Sequence, residues 1–88
     1  MTQIMIGEKK LSRYQDAVDT QLEDNSEIEI LSRGQDNNGK ALDLAEIIRR
    51  EKENVSVQTI ETGTSCFEND DGEEVNVTDL EIKIEKSE

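Results

Sequence analysis

Hydrophobic residues fall along this chain in two rhythms, and the changes between them mark six segments. "QIMI", Gln3 to Ile6, is a short apolar run closed by Gly7, the pattern of a buried strand. Leu11, Tyr14, Val18 and Leu22 then recur at offsets of three, four and four, with Ala17 beside them. That spacing lines one face of a helix, and Ser12 is a candidate to cap its start. In "SEIEILS", Ser26 to Ser32, Ile28 and Ile30 alternate with polar residues before Leu31, which predicts a second strand. "GQDNNG", Gly34 to Gly39, is dense in turn-forming residues. A second helix is expected from about Lys40, with Ala41, Leu44, Ala45 and Ile48 on one face and Leu42 and Ile47 flanking it.

Two long alternating runs follow, "NVSVQTIETGTSCF" and "EEVNVTDLEIKIEK", joined by "ENDDGE". Asp71–Gly72 in that joint is a hairpin signal. Both runs break phase. Val55 and Val57 alternate, but the next apolar residue is Ile60; Val75 and Val77 alternate, but Leu80, Ile82 and Ile84 follow. A shift by one residue moves the apolar set to the other face of a strand. Each strand is therefore expected to have one part packed on the body and one part projecting as an arm, with a bulge at the change. The order β-α-β-α-β-β makes the first two strands parallel, joined by a right-handed crossover. It predicts an α/β two-layer sandwich: a four-stranded mixed sheet, two helices on one face, and a long C-terminal β-hairpin arm. At 88 residues, residues 1–88 form one small domain.

Composition narrows the picture. With no proline or tryptophan, one tyrosine and one phenylalanine, the core must be built from Ile, Leu, Val and Ala. A core this small gains from oligomerisation. The single cysteine, Cys66, permits no internal disulfide and suits a reducing cytosol. The first ten residues do not have the layout of a signal peptide, and no apolar stretch approaches membrane-spanning length. A cytoplasmic protein with no membrane contact is expected. For catalysis there is no histidine, no Gly-rich phosphate loop, and no base evident beside Cys66, so the expectation is a non-enzyme without catalytic residues. No cofactor and no metal are expected. The acid-rich tip does not meet the calcium-loop pattern, because counting back from Gly72 puts Phe67 at the first ligand place. Tyr14 lies on the apolar stripe and reads as core. Arg49 and Arg50 stand where positive charge favours a helix end, and Glu46 can pair with Arg50.

Charge raises the central question. The chain carries 22 acids and 10 bases, a net −12. Residues 1–54 hold 12 of the acids and 8 of the bases, whereas residues 55–88 hold 10 acids and only 2 bases. Yet the cations of the first part fall at places suited to phosphate. Lys9, Lys10 and Arg13 cluster on a loop and first helical turn, and Arg33–Gly34 closes a strand ahead of Lys40. An arginine at a strand end and a lysine near a helix start can converge on one phosphate, helped by the N–H groups and dipole of the helix.

Several local pieces, in this order and spacing, resemble one family. "IMIGEKKLSRY" is similar to its first strand, Ile-Gly turn, lysine pair and a tyrosine seven positions after the glycine. "IEILSRG" is similar to its second strand ending in Arg-Gly, and "KALDLAEIIRRE" to the start of its second helix. "ETGTS", the Asp-Gly tip and "VTDLEIKIEK" resemble its final hairpin. This is the Alba family, small dimeric chromatin and RNA-binding proteins best known from archaea, and the resemblance spans Ile4 to Lys86. It implies the sandwich fold derived above and a homodimer whose body sits over the backbone of DNA or RNA while two arms reach along the grooves. By position, it implies that Lys9, Lys10, Arg13, Arg33, Gly34 and Lys40 form the nucleic-acid-binding set. The chain also departs from the family: a turn lysine is replaced by Glu8, a base after Arg-Gly by Gln35, and the arm tip is acidic from Glu68 to Glu74. Two expectations follow. One is a chromosome-associated DNA- or RNA-binding architectural protein of a halophilic cytoplasm, binding weakly at low salt, because molar salt screens repulsion within about 3 Å. The other is an interaction module that kept the fold, lost DNA binding, and engages a basic protein partner through acidic arms.

Overall fold

The computed structural model describes residues 2–87. Six elements run in the order β1 (Thr2–Met5), α1 (Leu11–Asp24), β2 (Glu27–Arg33), α2 (Gln35–Glu51), β3 (Val55–Glu68) and β4 (Glu74–Lys86). The strands form one sheet in the order β1-β2-β4-β3. β1 runs parallel to β2, with Thr2 opposite Ile28 and Met5 opposite Leu31. A parallel neighbour requires a long crossover, and α1 supplies it. β4 lies antiparallel to both β2 and β3. The expected α/β sandwich, with a four-stranded mixed sheet and two helices, is the observed architecture.

The core follows from the apolar stripes. Tyr14, Val18 and Leu22 of α1, and Ala41, Leu44, Ala45 and Ile48 of α2, are buried. They pack on the sheet face formed by Ile4, Ile28, Ile30, Leu80, Ile82 and Ile84. Burying each such aliphatic side chain stabilises the fold by roughly 1.5–3 kcal/mol. From Gln58 to Asn76, by contrast, every residue except Ser65 is exposed. This stretch is the projecting arm, and it makes the molecule 50 Å long but only 23 × 20 Å across.

Three local expectations are corrected. First, α2 begins at Gln35, five residues before Lys40. Gly34 adopts φ +90°, a conformation open to glycine, and turns the chain directly from β2 into the helix. The polar residues then serve as the first helical turn, tied to the strand ends: Asn38 donates to the Thr78 carbonyl at 2.9 Å and accepts from the Ser32 hydroxyl at 2.6 Å. Turn-forming side chains favour helix starts when such partners exist. Second, Ser12 does not cap α1; Lys10 stands at the cap without a side-chain cap bond. Third, the bulge occurs in β3 alone. Val57 faces Ile84 and Thr59 faces Lys83, so Gln58 is the extra residue. β4 keeps its pleat, and Val75 and Val77 simply alternate onto the face opposite Leu80, Ile82 and Ile84. The arm thus exposes Ile60, Phe67 and Val75. At its tip the Asn69 carboxamide oxygen accepts from the amides of Asp71 and Glu73, at 3.0 and 2.9 Å.

Candidate nucleic-acid interface

The turn after β1 is held by two side chains from two helices. The Tyr14 hydroxyl, on the buried stripe of α1, accepts from the Gly7 amide at 2.8 Å and from the Lys9 amide at 3.2 Å. The Lys40 ammonium, on α2, donates to the Gly7 carbonyl at 2.8 Å and to the Lys9 carbonyl at 3.0 Å. It also sits 5.8 Å from the centre of the Tyr14 ring. The Lys10 carbonyl accepts from the Arg13 amide at 3.0 Å, carrying the turn into α1.

On this frame Lys9, Lys10 and Arg13 are all exposed, and with Ser12 they line one open groove. Among the described residues none of the three forms an ion pair. The structure therefore brings these three expected cations together with their charges free. It places Lys40 beneath them, with two of its three N–H donors engaged by the loop carbonyls.

Arg33 is placed differently. At the end of β2 it faces Asp79 of β4, and its guanidinium donates to that carboxylate at 2.7 Å. Asp79 also accepts from the Ser65 hydroxyl of β3. The Ser65 bond first, and the Arg33 bond second, hold the Asp79 carboxyl below the ordinary carboxylate range. The guanidinium also lies 4.8 Å from the centre of the Phe67 ring. Arg33 therefore spans from Asp79 of β4 to the Phe67 ring of the arm. With Gly34 it lines a groove that also contains Glu8 and Asp36, so acids flank the start of α2. Asp36 stands in the first turn of that helix, where negative charge is itself favoured.

Sequence reasoning missed Asp79, Ser65 and Phe67. The only signal that could have found them is the register of β2 against β4, which pairing over 46 positions of sequence does not reveal. The Tyr14 hydroxyl was missed as well: its place on the apolar stripe announced the ring and not its polar end. Elsewhere the expected Glu46–Arg50 pair forms at 3.0 Å, joined by Arg49 at 2.7 Å. Arg49 is the main cause of the lowered Glu46 pKa. On the open face of the sheet, Glu81 lies opposite Glu61. A hydrogen bond with Glu29, and then its charge, push the Glu81 carboxyl up, with Glu61 adding to the effect. At the arm tip Glu68, Asp70, Asp71, Glu73 and Glu74 are exposed.

The comparisons with known proteins bear on what this arrangement belongs to. The family model described as Alba matches residues 2–64, ending within β3. The DNA/RNA-binding protein Alba of Nitrosopumilus maritimus is 35% identical over 86 residues, spanning 96% of this chain and 90% of that protein. Alba from Thermoplasma volcanium superposes with a TM-score of 0.87 at 30% identity, covering 97% of this chain and all of that one. ALBA1 from Trypanosoma brucei shares the fold, with a TM-score of 0.77 at 20% identity over 99% of this chain and 70% of that one. The family is a nucleic-acid-binding architectural one and not enzymatic. With the Ile-Gly turn, the Arg-Gly strand end, the two-helix sandwich and the hairpin arm all in place, this chain belongs to the Alba family.

Proposed function

We propose that this chain is a DNA- or RNA-binding architectural protein that acts as a homodimer and works at high ionic strength. The observation that carries the proposal is the gathering of Lys9, Lys10 and Arg13 on one exposed groove without ion-pair partners. Phosphate binding by such cations releases counterions. The net charge of −12 opposes approach at long range. At 1 M salt that repulsion is screened within about 3 Å, while direct contacts between cation and phosphate remain. The acids then serve solubility. Dimerisation would place two copies of the groove on one assembly. The expected location is the cytoplasm, on the chromosome where the ligand is DNA.

One observation favours a second reading. Arg33 is engaged by Asp79, and the arm tip exposes only acids among its charged residues. An arm of that character suits a basic protein partner better than a DNA groove. A titration of labelled duplex DNA and single-stranded RNA across a KCl series decides between them. The first reading expects wild-type binding that Lys9→Ala/Lys10→Ala weakens for both ligands, with the slope of log K against log[salt] reduced per lost contact by about 0.9 on duplex DNA and about 0.7 on single-stranded RNA. Equal behaviour of the two proteins at every salt refutes it.

A further inference from the structure

We infer that Tyr14 and Lys40 are positioning residues, which together clamp the Gly7–Lys10 loop and so hold Lys9 and Lys10 ready for a phosphate backbone. The inference rests on the reading of Lys9, Lys10 and Arg13 as the binding cations.

A loop carrying two adjacent lysines would ordinarily be fixed only upon binding. Here it is fixed beforehand. Both amides and both carbonyls of Gly7 and Lys9 are hydrogen-bonded, the amides to one phenol oxygen and the carbonyls to one ammonium. The two side chains come from different helices, and Tyr14 is itself anchored in the core at 8% exposure. The loop is thus referenced to the rigid body and not to its own chain neighbours. A methyl at Gly7 would stand 3.4 Å from the Tyr14 hydroxyl, an ordinary contact, so the clamp rests on the two side chains and not on the glycine. The tyrosine of α1 and the lysine of α2 therefore form one device around the loop. Lys40 acts on the ligand through the loop, and the lysine side chains above it keep their charges unpaired.

Positioning and direct contact leave different marks on salt dependence. A direct phosphate contact sets the slope of log K against log[salt]. A positioning residue changes the conformational cost of binding and leaves the number of neutralised phosphates alone. Tyr14→Phe removes the acceptor oxygen while keeping the ring and the charge; Lys40→Met removes the ammonium. Both are compared with wild type by anisotropy on duplex DNA and single-stranded RNA across a KCl series, and by amide hydrogen exchange on the free protein. In Tyr14→Phe the Gly7 and Lys9 amides are expected to exchange faster. Affinity is expected to fall about tenfold, the factor for having to fix one backbone residue on binding, with the salt line displaced parallel to wild type. Lys40→Met should give the same parallel displacement; a slope flattened by about 0.9 on the duplex or about 0.7 on the single strand would make it a direct contact instead and overturn its assignment. Folded Tyr14→Phe with wild-type affinity, or with unchanged Gly7 and Lys9 exchange, overturns the clamp. Should Lys40→Met not fold, Tyr14→Phe still decides. If Lys9→Ala/Lys10→Ala binds like wild type, the underlying nucleic-acid reading fails and takes the positioning role with it. In that case the exchange data still show separately whether the loop is clamped.

Discussion

Replacing Asp79 by asparagine should strengthen binding to nucleic acid, although the residue touches none of the free cations. Arg33 now donates to Asp79 at 2.7 Å, and that carboxylate is a charged competitor for any phosphate. Asparagine keeps an oxygen to accept from Ser65 while removing the charge that retains the guanidinium. Arg33 is then available as one additional phosphate contact. One contact adds about 0.9 to the slope of log K against log[salt], so the gain over wild type should be about eightfold larger at 0.1 M salt than at 1 M. Fluorescence anisotropy with a labelled duplex over that range measures both quantities. Ser65→Ala is the control: it removes the main cause of the lowered Asp79 pKa while leaving the Arg33 pair in place. Its salt slope should stay with wild type. An unaltered slope in Asp79→Asn, or weaker binding at low salt, would refute the idea that this carboxylate withholds Arg33 from phosphate.

Two further predictions test the body of the molecule. Ile82→Ala removes a fully buried side chain at the centre of the sheet and should cost about 2–5 kcal/mol in urea unfolding; a smaller loss would mean the site collapses around the deletion. Glu81→Gln should stabilise the fold at neutral pH, because the carboxyl is raised in the native state first by its hydrogen bond with Glu29 and then by the charges of Glu29 and Glu61, all of which disfavour its ionised form. The sign follows from linkage: a carboxyl raised on folding disfavours the native state above its folded pKa, and the penalty fades as pH falls through that value. Thermal melts of wild type and variant should therefore converge toward acid pH, and a constant gap would show that the carboxylate row is not the cause.

Period and spacing were enough to determine the six segments, their order and the identity of the core. Val18, Leu44, Ile48, Ile82 and Ile84 could be named because burial imposes a period on the chain, and the period survives in one dimension. The loop–helix cluster of Lys9, Lys10 and Arg13 was legible for a similar reason: a turn running into a helix brings residues three and four positions apart onto one side. The start of α2 was not legible, since Asn38 becomes helical only because the Thr78 carbonyl and Ser32 hydroxyl stand beside it. Nor were the roles of Arg33 and Lys40. Their charges were plain from the sequence, but a charge is defined functionally by its partner. Asp79 reaches Arg33 through strand pairing, and the Gly7 loop reaches Lys40 through the packing of α2 beside α1. Long-range register and packing brought those groups together, and only the tertiary structure decided which cations are free and which are engaged.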